Sequence, residues 1–197
     1  KSKITEIENK KVIIDLLEQV SLNAESPLNL TLVQGILKGE KMDIVIQKAT
    51  ELGVKEIIPA ITERSQIRQT RKVDRWRKIA EEASKQSGRT MIPVVHEPIE
   101  FNSLFTVHHS LPIKGFIFWE EGGLSLKEAI QQSAVSIQHS ENSQLSTLNS
   151  QLFVLVGPEG GFSKEEVNLA VSKGLITVSL GKRILRAETA AISAVAL

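Results

Sequence analysis

Leu152-Phe153-Val154-Leu155-Val156-Gly157-Pro158-Glu159-Gly160-Gly161-Phe162-Ser163-Lys164-Glu165-Glu166 decides the fold class. Its five leading apolar residues read as a strand of a parallel sheet. A glycine-rich turn follows at once. Ser163, with Glu166 three residues on, then forms a capping box that starts a helix. Strand, loop and helix in that order belong to a βαβ unit. In open parallel sheets, ligands bind outside the carboxyl ends of the strands, and this loop occupies that place. Its glycines let the backbone approach a ligand closely. It is neither G-x-G-x-x-G nor a P-loop, because no Gly-Lys-Ser/Thr follows. Glu159 would repel a phosphate, so an uncharged or cationic ligand suits the loop better. Taken alone, the loop fits a tight turn with no ligand equally well.

The next turn downstream changes that balance. Residues 177–180 read as a strand, and Leu180-Gly181-Lys182-Arg183-Ile184-Leu185-Arg186-Ala187-Glu188-Thr189 follows it. A simple connection needs neither this length nor this mixture. Two adjacent strand-end loops of this kind predict a pocket. The alternative for Arg183 and Arg186 is a solvated basic turn. A final helix is expected to begin near Thr189.

Upstream, the same rhythm repeats. Leu30–Gly35 reads as a buried strand, residues 43–52 as a helix stopped by Gly53, and residues 54–61 as a second strand. Val73–Ser87 reads as a helix closed by Gly88, residues 115–119 as a strand and residues 124–132 as a helix. The pattern predicts an α/β fold with a parallel sheet. Residues 4–8 and 12–18 alternate around Asn9-Lys10 as a β-hairpin. A lone hairpin is marginal in water, so it is expected to belong to a small β domain whose earlier part lies upstream. Residues 21–29 read as a linker. Residues 131–151, rich in Ser, Gln and Asn, read as a flexible surface insertion.

The 197 residues carry 41% apolar and 24% charged side chains, enough for one sizeable domain with a small appendage. The net charge of +1 excludes any appeal to global basicity, so a nucleic-acid partner must be held by a local patch. Arg64, Arg68, Arg71, Lys72, Arg75, Arg77, Lys78, Lys85 and Arg89 form one, with Asp74, Glu81 and Glu82 the only acids between Arg64 and Arg89. Such an excess binds phosphate through counterion release. The alternative is a solvated helix face, with Lys78 and Lys85 paired to Glu81 and Glu82. Trp76 on this helix is expected in the core. The absence of cysteine excludes disulfides and thiol chemistry and fits a reducing cytosol. The four histidines show no metal-ligand spacing, so no metal is expected. No apolar run approaches the ~20 residues of a membrane span, and no signal peptide is visible. A cytoplasmic protein without membrane contact is therefore expected.

Four blocks together resemble the ribosomal RNA small subunit methyltransferase E family of the SPOUT methyltransferases. They are Lys38-Gly39-Glu40-Lys41-Met42-Asp43 running into Gln47-Lys48-Ala49-Thr50-Glu51-Leu52-Gly53, Arg64-Ser65, Glu82-Ala83 through Gln86-Ser87-Gly88-Arg89 with Pro93, and residues 157–163 with 180–190. The resemblance covers most of residues 30–197. It implies a SPOUT-type parallel sheet with a C-terminal trefoil knot over residues 27–197. Residues 1–26 would then be the end of a PUA-like RNA-binding β domain plus a linker, and the family's chains continue beyond both ends of this one. The resemblance further implies S-adenosylmethionine as cofactor and a homodimer with its site at the interface. The substrate would be a uridine of 16S rRNA, methylated at N3 in a small-subunit particle.

On that basis Leu155, Gly157, Pro158, Gly161, Leu180, Gly181, Ile184, Leu185, Arg186 and Thr189 are expected at the cofactor. Leu155, Leu180 and Leu185 would line the adenine, and Glu120 would reach the ribose. Arg186 is the expected stabiliser of charge on the uracil oxygens. Glu188 and Glu159 are candidate bases or sulfonium partners, although Glu188 also suits the start of the last helix. Arg64, Arg68, Arg71 and Arg89 are expected at RNA. Two other readings remain: another SPOUT methyltransferase acting on tRNA or a ribose 2′-hydroxyl, and a non-catalytic RNA-binding protein.

Overall fold

The computed structural model describes residues 2–9, 11–18, 25–107, 114–138 and 151–197. In chain order the elements are β1 (Ser2–Glu8), β2 (Lys11–Leu16), β3 (Leu30–Gly35), α1 (Lys41–Glu51), β4 (Glu56–Ile61), α2 (Val73–Ser87), β5 (Val94–Val95) and β6 (Ile99–Glu100). They continue as α3 (Phe101–Val107), β7 (Lys114–Phe118), β8 (Leu124–Ser125), α4 (Leu126–Gln138), β9 (Leu152–Val156), α5 (Lys164–Ser172), β10 (Ile176–Ser179) and α6 (Ala187–Ala196).

The main sheet runs β5-β4-β3-β9-β7-β10-β8, with β6 also beside β4. Every pairing in it is parallel. Alternation along the strands separates two cores, because successive side chains point to opposite faces. Leu32, Ile57, Phe116, Val154 and Val156 face one side, against Met42 and Ile46 of α1, Trp76 and Ala80 of α2, and Ala191 and Ala194 of α6. Val33, Ile58, Ile117, Phe153 and Leu155 face the other, against Phe101, Leu104 and Phe105 of α3 and Val167 and Ala170 of α5. Trp76 is a core residue, and its Nε1 donates to Asp43 Oδ1 at 3.0 Å.

β3, α2 and β9 have the expected bounds, and Gly88 ends α2 at φ 70°. Other boundaries differ for local reasons. β4 starts at Glu56, because the Val54 N–H closes the end of α1 on the Ala49 carbonyl. α6 starts at Ala187, before the expected Thr189. α4 continues to Gln138, into the stretch expected to be an insertion, and no Gly or Pro interrupts it. Residues 139–150 of that stretch, with His108, His109 and His139, lie outside the described residues. Helix α3 was not anticipated, although Phe101, Leu104 and Phe105 carry helical spacing.

β1 and β2 form the expected antiparallel hairpin, with exposed side chains on both faces. The linker is tied down where it meets the sheet. The Glu25 carboxylate accepts from Arg89 Nε and Nη2 at 3.2 and 2.8 Å, and from the Thr90 and Met91 N–H groups at 2.9 and 3.1 Å. The Arg89 hydrogen bond, helped by the two backbone donors, outweighs burial and holds the Glu25 pKa at about 2.

Candidate functional site

The carboxyl ends of β9, β7 and β10 lie side by side and open into one cleft. The strands that carry the two loops singled out in the sequence are therefore not neighbours, although both loops line the cleft. β7 stands between their strands and adds a third loop, Trp119-Glu120, to the same cleft. Ligands of open parallel sheets bind outside the carboxyl ends of the strands, which is where this cleft opens.

The glycines of the first loop are required by space and backbone. A Cβ on Gly157 would stand 3.0 Å from the Gly161 carbonyl carbon. Gly161 has φ 68°, and a Cβ there would overlap the Glu120 carboxylate. Beneath the loop, the buried Gln34 donates from Nε2 to the carbonyls of Gly35 and Gly157 at 2.9 and 3.1 Å. A Cβ on Gly35 would overlap Pro158. The strand end and the loop thus meet backbone to backbone.

The capping box is complete. Ser163 Oγ accepts from the Glu166 N–H at 3.3 Å, and Glu166 Oε2 accepts from the Ser163 N–H at 2.9 Å. Glu166 Oε1 also accepts from the Glu63 N–H at 2.8 Å, which ties the start of α5 to the turn after β4. Arg64 Nη1 from that turn donates to the Gly160 carbonyl at 3.1 Å. Glu159 Oε1 accepts from the Lys38 N–H at 3.0 Å and from Lys41 Nζ at 3.3 Å. Burial pushes the Glu159 pKa up, but these donors and the Lys41 charge outweigh it and hold the group below the usual carboxylate range. A carboxylate held ionised in this way is a weak proton acceptor and a good partner for a cation.

Gly157, Pro158, Glu159, Gly161, Leu180, Gly181, Ile184 and Leu185 line the cleft, together with Glu120, Lys182 and Arg183. Leu155 does not. It is fully buried in the core between β3 and β7, and its expected place at the adenine is corrected accordingly. Arg186, Glu188 and Thr189 stand just beyond the lining, at the start of α6. Arg186 is the exposed N-cap of α6 and makes no side-chain cap. Glu188 is half-buried in the first turn, with Oε2 shielded and unpartnered among the described residues. Phe118, Trp119, Val156 and Ser179 also line the cleft and were not anticipated. The signal for Trp119 was its position directly after a strand, as Gly157 follows β9.

The basic segment divides in two. On α2 the charges are mostly paired: Arg77 with Asp74 and Glu97 at 3.2 and 2.8 Å, and Lys85 with Glu81 at 2.6 Å. In the turn before it, Arg64, Arg68 and Arg71 are exposed. Arg89 is a correction: its side chain is 3% exposed and ion-paired with Glu25, and Nη1 donates to the Thr50 and Val54 carbonyls at 2.9 Å. It has no surface to offer RNA. Among the described residues there is no cluster of three metal-ligating side chains, and no helix long and apolar enough to cross a membrane.

Residues 24–197 match the RNA methyltransferase domain family. The chain is 36% identical over 182 residues to the ribosomal RNA small subunit methyltransferase E of Synechocystis sp., covering 92% of this chain and 56% of that protein. It is 33% identical to the protein of the same name from Buchnera aphidicola, covering 98% of this chain and 72% of that one. A crystal structure of ribosomal RNA small subunit methyltransferase E from Neisseria gonorrhoeae, bound to S-adenosyl methionine, superposes with a TM-score of 0.82 at 32% identity, covering 99% and 75% of the two chains. The chain thus spans little more than half of one curated relative and about three quarters of the others named here. With its parallel sheet, its strand-end cleft and these likenesses, the chain belongs to the ribosomal RNA small subunit methyltransferase E family of RNA methyltransferase domains.

Proposed function

We propose that this chain carries the S-adenosylmethionine-dependent methyltransferase domain of an enzyme that methylates uridine N3 in 16S rRNA of the small ribosomal subunit. The observation that carries the reading is the cleft at the ends of β9, β7 and β10. A Cβ on Gly157 would crowd the Gly161 backbone, one on Gly161 would meet the Glu120 carboxylate, and Glu159 is kept anionic at the cleft's edge. An anionic group at the edge of such a cradle suits a cationic sulfonium cofactor.

When bound, S-adenosylmethionine supplies a methyl carbon whose bond to sulfur breaks as its bond to N3 forms. The chain's main contribution is alignment, which can supply up to roughly 7–11 kcal/mol. Backbone groups at Gly157, Gly161, Leu180, Gly181 and Leu185 hold the cofactor, and Pro158, Ile184 and Thr189 border it. Arg186 stabilises negative charge on the uracil oxygens as the N3 proton departs. Glu188, with its unpartnered Oε2, is the better candidate to receive that proton, while Glu159 balances the sulfonium charge. The exposed turn carrying Arg64, Arg68 and Arg71 holds RNA phosphates, and Arg64 links it to the cofactor loop through Gly160.

The finer architecture belongs to the same reading. From β10 the chain returns so that α6 packs on α1 and β9, a path that suits a trefoil knot. Ile184, 88% exposed at the cleft, suits a homodimer interface that completes the site. The hairpin β1–β2, apolar and open on both faces, suits the end of a PUA-like domain. A cytoplasmic location follows from a ribosomal substrate.

The test is nucleoside mapping after the protein, S-adenosylmethionine and unmethylated small subunits are incubated together. 3-Methyluridine in 16S rRNA is expected. A 2′-O-methyl product in tRNA sinks the reading, and calorimetry without any cofactor heat favours a non-catalytic RNA-binding protein.

A further inference from the structure

Gln34 stands where the strand pattern calls for an apolar residue. Alternation along β3 puts it with Leu32 on the face that packs against α1, α2 and α6, and it is fully buried. Its Nε2 donates to the Gly35 and Gly157 carbonyls at 2.9 and 3.1 Å, while its Oε1 has no partner among the described residues. A half-satisfied buried amide is a poor choice for stability, because the unmet acceptor offsets what the two donations contribute. Packing alone does not account for a glutamine here.

What the amide holds is specific. The β3–β9 ladder ends at Gln34 and Val156, so the peptide that joins Gly157 to Pro158 lies beyond it. That peptide has no N–H, and its carbonyl is the one polar group by which it can be held. Gln34 takes this carbonyl from beneath the loop. Gly35 completes the support, because a Cβ there would overlap Pro158 and lift the loop off the strand. The turn that follows closes on itself, the Gly161 N–H donating to the Pro158 carbonyl at 2.9 Å, so its course depends on the plane from which it starts. Gln34 does not line the cleft. We propose that Gln34 is a positioning residue, which fixes the direction of the Gly157 carbonyl and so the shape of the cofactor loop without touching the cofactor. This rests on the cofactor reading above and adds to it a residue of β3, a strand outside the three that open into the cleft.

Calorimetric titration with S-adenosylhomocysteine tests it on the wild-type protein, Gln34→Met, Gln34→Glu and Thr31→Val. Methionine keeps the length of the side chain and lacks the donor, so Gln34→Met is expected to weaken binding about 3- to 10-fold, as for one neutral hydrogen bond. Thr31 is the control for strand stability: it is buried near the other end of β3, and its Oγ1 accepts from Gln151 Nε2 at 2.7 Å. Thr31→Val should lower the melting temperature and leave the affinity unchanged. Gln34→Glu carries a pH signature. Ionised, it repels both carbonyls; protonated, its O–H donates as Nε2 does, and burial favours that form. Its affinity relative to the wild type should rise as pH falls from about 9 to about 6, a trend absent from Gln34→Met. Wild-type affinity in Gln34→Met, equal losses in Gln34→Met and Thr31→Val, or a Gln34→Glu pH curve parallel to that of the wild type overturns the proposal while leaving the cofactor reading intact. No binding of S-adenosylhomocysteine to the wild type overturns both. If Gln34→Met does not fold, the pH curve of Gln34→Glu decides.

Discussion

Arg89 Nη2 and Glu25 Oε2 lie 2.8 Å apart, both almost wholly buried, where the linker meets the end of α2. The pair joins the linker to the α1–β4 turn, because the same guanidinium also holds the Thr50 and Val54 carbonyls. Removing one partner leaves an uncompensated buried charge. Arg89→Ala is expected to destabilise the domain by about 3–5 kcal/mol in urea unfolding. It should leave the salt dependence of RNA binding unchanged.

The same pair sets an acid limit. The Glu25 pKa is lowered from 4.5 to about 2, so its stabilising effect is fully present above pH 4.5 and fades as pH falls toward 2. Glu25→Gln should therefore be clearly less stable than wild type at pH 6. The gap should narrow steadily in unfolding curves taken from pH 4.5 down to the lowest pH at which the domain stays folded.

Two glycines with similar backbone angles should behave differently. Gly161 and Gly88 have φ 68° and 70°, but a Cβ on Gly161 meets Glu120 and one on Gly88 meets nothing within 4 Å. Gly88→Ala should cost about 1 kcal/mol of stability and leave cofactor affinity alone. Gly161→Ala should weaken cofactor binding by about 10-fold or more, because the carboxylate or the loop must move. Equal affinities in the two variants would take Gly161 out of the cofactor wall.

Arg186 stands at the N-cap of α6 with its side chain exposed, just past the cleft lining. Arg186→Ala is expected to lower turnover by ~100-fold or more at saturating cofactor, as when an electrostatic stabiliser is lost. A near-normal rate in single-turnover measurements removes it from the chemical step.

Arg68 and Arg71 are two exposed cations of the turn before α2. Changing both to Ala should weaken RNA binding and reduce the slope of log K against log salt by about 0.7 for each phosphate no longer neutralised. Changing Arg77 and Lys85, which are paired with Glu97 and Glu81, should alter that slope little.

What was legible locally came out well. The bounds of β3, α2 and β9 follow from apolar runs and glycine stops, which act within a few residues. The capping box at Ser163 and Glu166 is likewise a matter of four consecutive residues. The strand-end glycine loop marked the cleft for the same reason. Arg89 and Leu155 were misplaced because composition does not reveal burial. An arginine in a basic run looks like its neighbours until a distant glutamate is seen to hold it.

Primary structure alone carried the α/β alternation, the bounds of β3, α2 and β9, two of the loops that line the cleft and, through the combined motifs, the family. These depend on short-range propensity and on residue identity. That β7 lies between β9 and β10, so that Trp119 and Glu120 share their cleft, emerges with the folded sheet. So does the hold of Lys38 and Lys41 on Glu159, and the closure of Arg89 on Glu25 across 64 positions of chain. Strand order and ion pairing across such separations arise from how both faces of the sheet are buried at once, and no local window of sequence contains that information.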